Sequence, residues 1–262
     1  MGTSGAYSGS GGKDGKAIRD AIGDYLSDLA GDHDDRKSSG ERSPLDPNDL
    51  RRIINLIRPH PASGGGSDGP SGGSGSASRD RGTGERGGGG PQRSAAASAR
   101  TAGRAAAAAY AYRAGDAATL QRLGLDYNEL CGLGDEFEVL RRIVDMACSV
   151  PDSTIEDHEQ RRVAAEVAEW VMEQERDGIP PSPVEIVRQT IATIIAEALL
   201  VESGDQVNSS SHAYITESDI RDAAEAIAAQ ATLSVDGTSE DELGNAIEAG
   251  IETLRHIVGG TG

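Results

Sequence analysis

Apolar residues recur at helical spacing along most of this chain, and capping residues, glycines and prolines divide the pattern into segments. Over Lys16–Ala30, Ile18, Ile22, Leu26 and Leu29 make one stripe of an amphipathic helix, which Gly31 and the charged run Asp32–Arg36 end. A second short helix is predicted from Asp46 or Asn48 to Ile57, with Leu50, Ile53, Ile54 and Ile57 on one side and Pro59 and Pro61 as its stop. Ser94–Ala114 is alanine-rich and strongly helix-favouring, suited to a surface position or to very close packing. Asp116 caps a short segment that Gly124 closes. Asp135–Cys148 follows, with Phe137, Leu140, Ile143, Val144 and Ala147 as its apolar face.

Four clearer helices come next. Ser153 and Glu156 have the spacing of a capping box before a helix to about Arg176, whose inward residues are Val163, Val167, Trp170 and Val171. Ser182, Pro183 and Glu185 form a start signal for a helix to Val201 with the fullest stripe in the chain, Val184, Val187, Ile191, Ile194, Ile195, Ala198 and Leu199. Thr216 is the expected cap of a helix to Ala231. Thr238 or Ser239 opens the last, with Leu243, Ile247, Ile251, Leu254 and Val258 facing the core. Only Gln206–Ile215 leaves room for a hairpin. The class is therefore all-α, with a compact domain over residues 94–258 and a short tail, 259–262.

Ahead of that domain lies a flexible N-terminal arm: a Gly/Ser leader (1–15), the two short amphipathic helices (16–60) and a Gly/Ser-rich stretch (61–93). The last cannot bury enough apolar area to offset its ordering entropy, so it reads as a disordered linker. Its random-coil span of roughly 30 Å would let the leader and its helices move independently of the domain.

Composition sharpens this picture in two ways. Aromatics are scarce, with Phe137 the only phenylalanine and Trp170 the only tryptophan, so the core must be built from Ala, Val, Ile and Leu. Charge is also uneven: residues 1–113 carry net +3 and residues 114–262 net −21, giving −18 overall. Such an acidic domain repels nucleic-acid phosphates. The whole chain has only three lysines, Lys13, Lys16 and Lys37, all in its N-terminal part; the composition resembles the proteins of extreme halophiles, and salt adaptation is the simplest account of the acidity. Cys131 and Cys148 lack the spacing of a zinc site or disulfide framework and read as small buried apolar groups. With no long apolar run and no charged-then-apolar leader, a cytoplasmic location is expected.

Candidate chemistry is sparse. Gly15-Lys16 lacks the first glycine and the Ser/Thr of a phosphate loop, since Ser10 and Ala17 stand there, and Ala6 stands where N-myristoylation needs Ser or Thr. The five histidines, His33, His60, His158, His212 and His256, show no metal spacing. His33 among Asp32, Asp34 and Asp35 reads as a solvated helix end. Ser209, Ser210, Ser211 and His212 make a polar loop without a visible nucleophile elbow. The pairs Arg141-Arg142 and Arg161-Arg162 read as salt-bridge partners for surrounding carboxylates, and Trp170 as a core-edge anchor. No cofactor and no metal site is expected. What remains is the leader MGTSGAYSGSGG, where removal of Met1 would expose the Gly2 amine, followed by Thr3 and Ser4, to a partner.

The leader, the low-complexity middle and the stretches RAAAAAYAYRAGDAATLQRLGLDYNELCGL (Arg104–Leu133) and IEDHEQRRVAAEVAEWV (Ile155–Val171) together resemble the QatB component of the Qat anti-phage defence systems. Here the leader enters the Lys16 helix, where the family's more common leader runs into a proline-rich, tryptophan-containing stretch. The resemblance implies a non-catalytic component that works with an ATPase, a QueC-like enzyme and a TatD-like DNase. It also implies Gly2, Thr3 and Ser4 as the segment recognised, with Gly2 modified by the QueC-like partner. Two other readings compete: a helical enzyme or toxin using the loop 208–214, and an acidic DNA mimic that occupies a nuclease.

Overall fold

A computed structural model describes residues 9–31, 44–58, 93–148, 154–174 and 180–259. Within them the chain is all-α. Its helices are α1 (Lys13–Gly31), α2 (Pro47–Leu50), a 3-10 helix (Arg51–Leu56), α3 (Ala95–Ala114), α4 (Ala117–Leu123), α5 (Tyr127–Gly132), α6 (Glu136–Ala147), α7 (Ile155–Gln174), α8 (Pro183–Ser209), α9 (Ala213–Ala228) and α10 (Glu240–Gly259). The described residues include one two-residue parallel bridge, β1 (Ile57–Arg58) with β2 (Arg93–Ser94), which joins the two sides of the Gly/Ser-rich stretch.

The bundle is organised around α8, whose residues 191–199 are buried on every face. It touches α1, α3, α7, α9 and α10. Its start is the reciprocal capping box of Ser182 and Glu185, with Pro183 at the first helical position. Alanine-rich α3 is packed very closely rather than lying on the surface. Ten of its residues are buried, and it lies between α7 and α10. The approach to α10 is made by glycine: a Cβ on Gly103 would lie 2.9 Å from the Gly244 nitrogen and 3.1 Å from its Cα. A core short of aromatics closes its gaps by bringing backbones together.

The segments expected to move independently are built into this core. Ile18 and Ile22 of α1 and Leu50, Ile53 and Ile54 of the next segment are fully buried, against α8, α9 and α10. The physical reason is in their stripes: two amphipathic faces on one chain stabilise each other more by burial than a long linker costs in closure entropy, which grows only slowly with length.

Other differences are local. Phe137 is 72% exposed, and Val139 takes its place in the core beside Leu140, Ile143, Val144 and Ala147. Cys131 is exposed and Cys148 half-buried, so neither is the fully buried apolar group expected. Residues 206–215 hold no hairpin: α8 runs on to Ser209, and α9 starts at Ala213. Thr216 does not cap α9. It is buried inside the helix and donates to the His212 carbonyl at 3.0 Å. The capping role assigned to Ser153 lies outside the described residues; Thr154 and Asp157 exchange hydrogen bonds at 3.0 and 3.1 Å before α7. Ser239 does the same with Glu242 before α10, as expected.

Candidate functional site: the seat of the leader on helix α8

Gly2, Thr3 and Ser4 lie outside the described residues, as does the group Asp32, His33, Asp34 and Asp35. The description of the leader begins at Gly9, and there it is tied down. The Ser10 amide and the Ser10 hydroxyl both donate to Glu202 Oε1, at 2.7 and 2.9 Å. Arg19 donates to the Ser10 carbonyl at 3.0 Å and forms an ion pair with the same Glu202 oxygen. The Glu202 side chain is fully buried.

Each part of this seat follows from its element. Arg19 stands one turn along α1 from Gly15. A Cβ on Gly15 would overlap both Ser10 Oγ and Glu202 Oε1, so glycine alone leaves the space in which they meet. Glu202 therefore lies against the first turn of α1, where exposed amides and the helix dipole favour a carboxylate. Burying a carboxylate is costly unless it is paired and hydrogen-bonded, and here Arg19 pairs with Glu202 Oε1 and Ser10 donates to it. Further along, the Tyr25 hydroxyl donates to Asp219 of α9, and Asn55 donates to Asp14 at 3.3 Å. The seat is a polar lock in which one side chain from the far end of the sequence fixes the base of the leader.

A second charged group sits on another face of α8. Glu197 is 1% exposed and lies 3.1 Å from Arg162, with Glu166 and Arg221 paired beside it at 2.8 Å. Neither Glu197 oxygen accepts an aligned hydrogen bond among the described residues. Burial pushes its carboxyl up to about 7; Arg162 and Arg221 oppose the rise, while Glu166 and Glu159 add to it. Arg162 also lines a cleft of about 240 Å³ with Leu200, Val201, Gly204, Val207, Asn208 and Glu217.

The loop between α8 and α9 uses its polar groups for chain geometry. Ser209 Oγ donates to the Gln206 carbonyl at 3.0 Å, and Ser210 Oγ accepts from the His212 amide at 3.0 Å. Of the arginine pairs, Arg141 binds Glu138 at 2.8 Å, Arg161 binds Asp145 and Arg162 binds Glu197. Trp170 is half-buried at the core edge. Among the described residues no group of three or more His, Cys, Asp or Glu is placed to hold a metal, and no helix is long and apolar enough to cross a membrane.

Sequence reasoning missed the seat. Glu202 and Glu197 look like solvated positions, because the residues that make burial tolerable, Arg19 and Arg162, are far away in sequence. No protein-family model matches this chain, and comparison with curated proteins and with solved structures likewise finds no match.

Proposed function

We propose that this chain is a non-catalytic interaction protein that presents its N-terminal leader to an enzyme, as the QatB-like component of a cytoplasmic anti-phage defence system. The observation that carries the reading is the seat at Ser10. A leader meant for capture needs a fixed base and a free end, and Glu202 with Arg19 supplies the base. From Gly9 back to Gly2 an extended chain reaches roughly 25 Å, enough to enter a partner's cleft.

The chemistry at the tip is simple. An α-amino group has a pKa near 8, so at neutral pH about a tenth of it is unprotonated and able to act as a nucleophile. Glycine adds no side chain to obstruct a narrow active site. A QueC-like partner activates the carboxylate of a deazaguanine with ATP. The Gly2 nitrogen would attack that carboxyl carbon, lose a proton to solvent and displace the nucleotide leaving group, forming an amide. The ATPase and the TatD-like DNase of the same system would then act with the modified protein.

Two variants separate this reading from an enzyme built on the loop 208–214. Deletion of residues 2–8, which spares the seat, should abolish phage protection, whereas S210A/S211A/H212A should retain it. Loss in the triple variant with normal folding, and retention in the deletion, would overturn the proposal in favour of catalysis by that loop.

A further inference from the structure

The only phenylalanine in the chain is also, among the described residues, one of the most exposed large apolar side chains. Phe137 sits in the first turn of α6, 72% exposed, and its amide donates to the Asp135 carboxylate at 2.9 Å, so the cap holds the backbone that bears it. Beside it, α6 and α7 enclose a groove of about 180 Å³, lined by Phe137, Leu140 and Met172 with Glu136, Glu169 and Glu173 around the rim. That is below the roughly 300–1,000 Å³ of small-molecule sites and suits one bulky side chain. Met172 is 5% exposed, and Arg113 ties its carbonyl down at 3.0 Å while reaching Glu136 at 3.5 Å. Across the groove, Glu169 and Glu173 are exposed, and among the described residues no cation pairs with either.

We infer that this groove docks a partner protein's segment in which one bulky apolar side chain is flanked by Arg or Lys. The apolar anchor would cover Phe137 and rest on Leu140 and Met172, while its basic neighbours pair with Glu169 and Glu173. Complementary charge and an anchoring side chain in a preformed pocket are what interfaces use for specificity and affinity respectively. The surface is separate from the Ser10 seat, so it extends the proposed function without depending on it.

The probe is a synthetic amphipathic peptide with a leucine stripe flanked by arginines, titrated into the full chain by fluorescence anisotropy at low salt. Two controls carry serines in place of the leucines or glutamates in place of the arginines. The leucine-arginine peptide should bind and the controls should not. F137A should weaken binding about tenfold, as expected for a central apolar contact, with thermal stability unchanged because the side chain is exposed. E169Q/E173Q should weaken binding at low salt, and its difference from the unaltered chain should shrink as salt rises. Equal binding by F137A, equal binding of the serine control, or no binding at all would overturn the inference. Concentration-dependent self-association that F137A abolishes in sedimentation would also overturn it, by assigning the groove to a second copy.

Discussion

Replacing Glu197 by glutamine isolates the cost of a buried charge. Burial raises the Glu197 carboxyl from its ordinary 4.5 to about 7. A carboxyl raised in the folded state binds its proton more tightly than in the unfolded chain. Its contribution is therefore complete below the unfolded pKa and is lost as pH rises through the folded one. The difference is on the order of 3 kcal/mol between pH 4 and pH 8. Glutamine preserves the volume without the charge, and Arg162, 47% exposed, can hydrate in place of its ion pair. E197Q should match the unaltered protein at pH 5 and exceed it at pH 8, with a melting temperature higher by roughly 6–12 °C. Urea unfolding at the two pH values gives the same comparison in free energy. The caps at Asp116, Glu185 and Glu242 have lowered carboxyls, so their stability is present above the unfolded carboxylate range and lost as pH falls. These cap contributions therefore change at lower pH than that of Glu197. An E197Q protein less stable than the original at pH 8 would refute the reasoning, because it would mean that the ion pair outweighs the desolvation.

R19A leaves Glu202 buried without its arginine and should destabilise by about 3–5 kcal/mol; limited proteolysis should then cut within residues 9–15, and unchanged protection there would count against the seat. G103V drives a side chain into the Gly244 backbone and should cost about 1–3 kcal/mol in chemical denaturation, with a null effect contradicting the close crossing of α3 and α10. S182A removes one half of the capping box of α8 and should cost about 1 kcal/mol, measured by thermal unfolding at neutral pH.

The helices that were plainest in the sequence were those with both a stripe and a start signal, as at Ser182–Glu185 and Ser239–Glu242. Phe137 was misplaced because it lies one turn before Leu140 in the sequence pattern, yet the buried face begins with Val139, and spacing does not reveal how far a face extends into the first turn. The short helix α5, which Asp126 caps through the Glu129 amide at 2.9 Å, was too brief to show periodicity. At Thr216 a capping residue type was present, but its hydroxyl bonds back to the preceding turn. The buried carboxylates were illegible for a different reason. Their acceptability depends on tertiary partners, and neither the Arg19–Glu202 pair nor the Arg162–Glu197 pair leaves a local signature. The integration of residues 13–31 and 44–58 was legible in principle, since Ile18, Ile22, Leu50 and Ile53 demand a covering surface, but the composition of the linker suggested separation.

The measurement that bears most directly on the proposed function is intact-mass spectrometry of the full chain, expressed with and without the proposed QueC-like, ATPase and DNase partners, followed by sequencing of the N-terminal peptide. The account predicts loss of Met1 and a mass increase of one deazaguanine acyl group on Gly2 that requires the QueC-like enzyme. An unmodified Gly2 in the presence of all three partners would contradict it.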